Sequence, residues 1–189
     1  MNRHVLSIVV VILCAGCRHV ENAPVPVVNL IREVDNAEKR PLNGFEITTR
    51  EIEGQVRPSL VVAVPSRLTI PLPLPRRGVL RAFASIDPNS AAAAVHLRVG
   101  VSDHRIYEQL TDVDLVPGDH RWIPVRTDLS AYAGWKWSLF YHPERTVWHV
   151  VLAADATGGV PTRAIWGSPE IVTDSQSAKE YSERRQRFR

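Results

Sequence analysis

The run Trp122-Ile123-Pro124-Val125-Arg126-Thr127-Asp128-Leu129-Ser130-Ala131-Tyr132-Ala133-Gly134-Trp135-Lys136-Trp137-Ser138-Leu139-Phe140-Tyr141 reverses direction once and alternates on either side of the reversal. Asp128 and Ser130 can cap the intervening turn, and Gly134 supplies a permissive backbone angle. Trp137, Leu139 and Tyr141 then share one face of an extended segment, with Lys136, Ser138 and Phe140 on the other. A strand, a tight turn and a second strand is the reading.

The same period of two continues outward in both directions. Strands are expected over 45–49, 60–64, 68–72, 79–86, 95–101, 106–110, 122–129, 137–142, 149–154 and 164–172, most of them short, apolar and bounded by turn residues. Pro71, Pro73 and Pro75 lack amide donors, so that stretch must lie on a sheet edge or leave the sheet near Arg76. So many short strands without intervening helical pattern specify an antiparallel sandwich or barrel rather than a parallel α/β sheet. One helical pattern precedes them: Leu30, Ile31, Val34 and Ala37 recur at helical spacing, Asn29 can cap the start, and Pro41 stops the run. A short helix over 29–39 is predicted.

The amino terminus is of a different kind. Arg3 precedes an apolar run from Val5 to Leu13, followed by the small residues Ala15 and Gly16 and then Cys17. That layout is a secretion signal, and the apolar run is far short of the roughly 20 residues a membrane-spanning helix needs. Leu13-Cys14-Ala15-Gly16-Cys17 resembles the lipobox of bacterial lipoproteins, which implies cleavage before Cys17 and its acylation, palmitate included. Two or more acyl chains make a lasting membrane anchor. Arg18, rather than an aspartate, follows the cysteine, so the expected address is extracytoplasmic and lipid-anchored, at the outer membrane if the cell has one. Pro24 and Pro26 favour extended polyproline geometry, so 17–28 reads as a tether. The expected organisation is a signal peptide (1–16), tether (17–28), short helix plus sandwich (29–174) and a basic tail (175–189).

Composition closes several routes. Cys14 and Cys17 are the two cysteines of a 189-residue chain, so the folded part can hold no disulfide, thiolate zinc site or cysteine nucleophile. The formal charge of +3 belongs to the tail, where Lys179, Arg184, Arg185, Arg187 and Arg189 face Glu180 and Glu183. Nucleic-acid recognition, which needs a basic stripe on the folded face, is therefore not expected.

The segment from Trp122 through Asp128-Leu129-Ser130-Ala131-Tyr132-Ala133-Gly134, with the later Trp166-Gly167-Ser168-Pro169-Glu170-Ile171, resembles the jelly-roll modules of bacterial extracytoplasmic proteins. Such modules often precede sulfatase domains and share the galactose-binding-like sandwich of carbohydrate-binding modules. The 29–39 segment and Pro65-Ser66-Arg67-Leu68-Thr69 resemble the lead-in of that module, so the likeness covers about residues 29–172. No Cys-x-Pro-x-Arg or Ser-x-Pro-x-Arg sulfatase motif is present. The implied fold is mainly β: an antiparallel jelly-roll-like β-sandwich with one short N-terminal helix after a cleaved signal.

Candidate chemistry follows from exposed aromatics. Trp137 and Trp166 occupy core-like positions, whereas Trp135, beside Gly134, and Trp148, in the loop 143–149, are candidates for a platform on which sugar rings stack, with Arg105 and His149 as polar partners. Loops at one sandwich end could bring His104 and His120 together, and Asp103, Asp112, Asp114 and Asp119 crowd the loops around 106–110, but neither set has metal-ligand spacing. No metal or other cofactor is expected. The carboxylate pairs Glu51 with Glu53 and Asp112 with Asp114 have ordinary turn or strand explanations, and no nucleophile elbow or phosphate loop occurs. The sequence thus predicts a non-catalytic, lipid-anchored envelope protein that serves as a glycan-binding or surface-interaction module, its partner a polysaccharide or an envelope protein. The alternatives are a protein–protein scaffold for an envelope partner, with an apolar face around Phe140, and a hydrolase.

Overall fold

The computed structural model describes residues 23–90, 93–103, 105–133, 148–158 and 160–187. The strands are β1 (Val25–Asn29), β2 (Glu38–Arg40), β3 (Phe45–Ile52), β4 (Gln55–Val64), β5 (Ser66–Leu72), β6 (Val79–Ile86), β7 (Val95–Ser102), β8 (Tyr107–Leu115), β9 (Ile123–Asp128), β10 (Trp148–Ala156) and β11 (Thr162–Thr173). A 3-10 turn (Leu30–Asn36) follows β1, a second one (Ser130–Tyr132) follows β9, and α1 (Ser175–Arg187) follows β11.

Two antiparallel sheets result. One has the order β3-β4-β11-β6-β9, with β1 also paired to β11, and the other has the order β2-β5-β10-β7-β8. From β4 to β11 the chain shuttles between the layers, so that β4-β11-β6-β9 faces β5-β10-β7-β8. Eight strands in two Greek keys are a jelly roll. The fold class is therefore the one the sequence predicts.

Alternation explains the core. Leu60 and Val62 of β4, Leu80 of β6, Ile70 of β5, Leu97 of β7 and Leu152 of β10 all point between the layers and are fully or almost fully buried. Each such side chain contributes about 1.5–3 kcal/mol of transfer free energy. Trp166, at 1% exposed, is part of this core, as expected. Thr127 donates a hydrogen bond to Thr111 Oγ1 at 2.9 Å, tying β9 to β8 across the layers. A second apolar cluster, Ile52, Val61, Trp122, Ile165 and Phe83, lies on the outer face of the six-stranded sheet, which is why β4 and β11 are apolar on both sides.

Several boundaries differ from the sequence reading for identifiable reasons. The predicted helix over 29–39 is a 3-10 turn capped by Asn29, whose Oδ1 accepts from Ile31 N at 3.0 Å. It ends early because Glu38–Arg40 pairs with β5 instead. Part of the predicted tether is β1: β4 covers β11 only from Thr162 to Gly167, and Val25–Asn29 fills the place beside Glu170–Thr173. The expected solvated tail is α1, docked on the sandwich. Asp174 caps it by accepting from Gln176 N and Ser177 N, both at 3.0 Å, Ser177 and Tyr181 are buried, and Arg185 pairs with Glu33. β3 and β4 run longer than expected because Glu53 and Gly54, at φ of 50° and 73°, close a two-residue hairpin. Pro71 is accommodated as predicted, since β2 pairs with β5 only as far as Thr69 and leaves that side of Pro71 at an edge. The signal segment, Cys17 and the predicted strand 137–142 lie outside the described residues.

Candidate functional site

Where Leu68, Leu97 and Leu152 turn inward, their neighbours Arg67, Arg98 and Ala153 must turn outward. Register then aligns them. Arg40 of β2 is opposite Arg67 of β5, Arg67 is opposite Ala153 of β10, Ala153 is opposite Arg98 of β7, and Arg98 is opposite Asp112 of β8. One rung of the five-stranded sheet therefore carries three arginines, with the smallest side chain between the second and third.

The adjoining rung supplies an aromatic. Gly100 has no side chain to occupy the sheet face, and a Cβ there would stand 2.6 Å from Cε2 of Tyr107. The Tyr107 ring can therefore lie across β7, and the Arg67 guanidinium carbon sits 4.9 Å from its centroid, a cation–π distance. Val151 faces outward by alternation yet is fully buried. The result is a groove of about 490 Å³ lined by Arg40, Arg67, Arg98, Tyr107, Ala153 and Asp155, among others.

Its polar groups are only partly satisfied. Arg98 pairs with Asp155, and Arg40 donates from Nε to Glu38 Oε1 at 2.7 Å. Arg98 Nε and Tyr107 Oη, both buried, have no hydrogen-bond partner among the described residues. Arg50 Nε, Arg57 Nε and Tyr181 Oη share that state elsewhere, so the groove is distinguished by its rung of arginines and the Tyr107 ring. A larger hollow, about 840 Å³, is the seam where α1 rests on β1 and the 3-10 turn, and the Arg185–Glu33 pair bridges it.

The four residues singled out as ligand partners are placed as follows. Trp135 lies outside the described residues. Trp148 begins β10 on its core side, half-buried, with its ring edge-on to Tyr132 at a centroid distance of 5.4 Å, so it is packed rather than displayed. It departs from the expected loop position because β10 starts one residue before the apolar run and turns Trp148 inward. His149 faces the outer side but is 7% exposed, and its Nδ1 meets the Ser102 carbonyl at 3.3 Å. Arg105 is exposed in the turn before β8, where its backbone N–H and that of Ile106 donate to Asp103 Oδ1. Those two donors hold the Asp103 carboxyl below its usual range.

The acidic candidates are scattered. Asp112 and Asp114 are strand residues of β8 rather than loop residues, Asp114 meets His96 Nδ1 at 2.6 Å, and Asp119 accepts from Arg121. Among the described residues no three metal-binding side chains converge.

No family model and no curated protein matches the chain. Solved structures do. The CBM51-2 and INT domains of Clostridium perfringens ZmpB match with 12% identity over 74% of this chain and a TM-score of 0.46, and the chain spans 28% of that one. TmCBM61 in complex with β-1,4-galactotriose matches with 8% identity over 77% of this chain and 97% of its own, at 0.49. The CBM22-1 xylan-binding domain of Paenibacillus barcinonensis Xyn10C matches with 13% identity over 74% and 86%, at 0.44. All three scores lie below 0.5.

Tyr107, Arg67, Arg98 and Arg40 are site residues that sequence reasoning missed. Tyr107 and Arg98 show only as an aromatic and a charged residue in expected strands, while Arg67 sits just before one and Arg40 just after the expected helix. What joins them is register between strands far apart in the chain.

Proposed function

We propose that this protein is a non-catalytic glycan-binding module, and that the groove over Arg67, Ala153 and Arg98 is where it holds a saccharide. The observation that carries the reading is the Tyr107 ring, steadied by the Arg67 guanidinium on the rung that also carries Arg40 and Arg98. A sugar presents both an apolar C–H face and hydroxyls, and this groove offers an aromatic surface together with the guanidinium groups of Arg40, Arg67 and Arg98. Lipid on Cys17 would hold the module at a membrane outside the cytoplasm.

Two experiments test the proposal. Affinity electrophoresis through gels containing soluble plant and bacterial polysaccharides should retard the wild-type protein on at least one of them, and Tyr107→Ala should run free. Equal mobility of both proteins on every polysaccharide would remove the glycan reading. For the anchor, full-length protein expressed in a bacterium with an alkyne-tagged palmitate should carry label in the membrane fraction. A Cys17→Ser variant that remains labelled would overturn the lipidation.

A further inference from the structure

Resting on the groove reading, we propose that the saccharide it takes is acidic, its carboxylate or sulfate ester lying over Ala153 between Arg67 and Arg98. Arg40 and Arg67 stand directly opposite each other on the same face of β2 and β5. Like charges in that relation are destabilising, so the placement needs a compensating anion. Arg40 finds one in Glu38 and Arg98 finds one in Asp155. No carboxylate among the described residues lies within 4.0 Å of Arg67, whose guanidinium rests over the Tyr107 ring instead.

The geometry of the rung supports a bound anion. Ala153 separates Arg67 from Arg98, and with strands about 4.8 Å apart their backbones are about 10 Å apart, with only a methyl group between them. The groove's charged lining, among the described residues, is three arginines and one aspartate. Guanidinium groups meet carboxylates and sulfates with two parallel hydrogen bonds, and half-buried ones are less screened by salt than exposed ones.

Titration calorimetry against polygalacturonate, its carboxyl-reduced neutral form, and a sulfated galactan with its desulfated form reads this directly. Binding to at least one acidic polymer should be about tenfold or more tighter than to its neutral counterpart, the two pairs distinguishing carboxylate from sulfate. Arg67→Gln should bring the affinity for the acidic polymer down to that for its neutral counterpart, and Arg67→Lys should retain most of the preference. Circular dichroism melts confirm that each variant is folded. Lys179→Gln with Arg184→Gln on α1 should leave the preference intact, and loss of it there would overturn the inference in favour of a diffuse charge effect. Equal binding of acidic and neutral polymers, with Tyr107→Ala still deficient, would overturn the acidic preference and leave the glycan reading standing. Binding to none of the four would overturn both.

Discussion

Gly167 on β11 and the indole of Trp122 occupy adjoining volume with nothing to spare: a Cβ on Gly167 would stand 2.7 Å from the ring's Cζ3. The indole cannot simply step aside, because its Nε1 donates to the Gln55 carbonyl at 3.1 Å and its ring meets Phe83 edge-on. Gly167→Ala should therefore destabilise by about 1–3 kcal/mol through overpacking. Trp122→Phe, which removes the second ring, should relieve part of that cost, so the double variant in thermal unfolding should be less destabilised than the sum of the singles.

Gly100 of β7, on the other sheet, likewise leaves room for an aromatic ring. A Cβ there would lie 2.5 Å from the Glu108 carbonyl oxygen and 2.6 Å from Tyr107 Cε2. Gly100→Ala should displace the Tyr107 ring from the groove and weaken polysaccharide retardation at least as much as Tyr107→Phe does, while Tyr107→Phe leaves the melting temperature near wild type. Full retention by Gly100→Ala would show that the ring's place across β7 is immaterial to binding.

Trp166 and Trp148 should separate in a stability series. Trp166 is 1% exposed at the centre of the core, so Trp166→Ala should cost about 3–5 kcal/mol in urea unfolding. Trp148 is half-buried against Tyr132 and should cost less on truncation. A larger loss at Trp148 than at Trp166 would contradict this assignment of the core.

The capping of α1 sets a pH dependence. Asp174 is held below its ordinary carboxylate value chiefly by the Ser177 amide. Its folded-state value being lowered, the stabilisation is present above the unfolded value near 4 and is lost as pH falls through the lower folded one. Helical signal from α1 should fade on acidification below about pH 4, and Asp174→Ala should cost about 1 kcal/mol at neutral pH and flatten that acid dependence.

At the alkaline end, Tyr132 behaves in the opposite sense. Burial and the Glu108 carboxylate push its phenol up to about 12. The folded state thus favours the neutral form, and its contribution is lost as pH rises from about 10 to about 12. Ultraviolet titration should show Tyr132 and the buried Tyr181 ionising after exposed tyrosines, and Tyr132→Phe should remove one of these late ionisations.

How much of this was legible depended on whether the deciding partners were near in sequence. β6 coincides with the strand read over 79–86, because alternation within one segment marks it. β1 and α1 were read as tether and tail because neither has a strong local signature: Val25–Val28 is a strand only in the presence of Glu170–Thr173, and α1 is held by Tyr181 and Arg185 meeting the other end of the chain. The hairpin at Glu53-Gly54 was missed because glutamate seldom adopts a positive φ. For the site, tryptophan counting pointed to Trp148, which the pleat turns inward. Tyr107 became the aromatic of the groove through the missing side chain of Gly100.

β11 is the last strand of the chain and the middle strand of its sheet, in contact with β4, β6 and β1, while β10 holds the corresponding place between β5 and β7. A ribosome delivering this chain from its amino end releases the outer strands of both layers well before either centre. Those strands then wait with open edges and uncovered apolar faces until residues 148–173 emerge. Such a chain cannot close either sheet strand by strand in chain order: both sheets close together once residues 148–173 are in place.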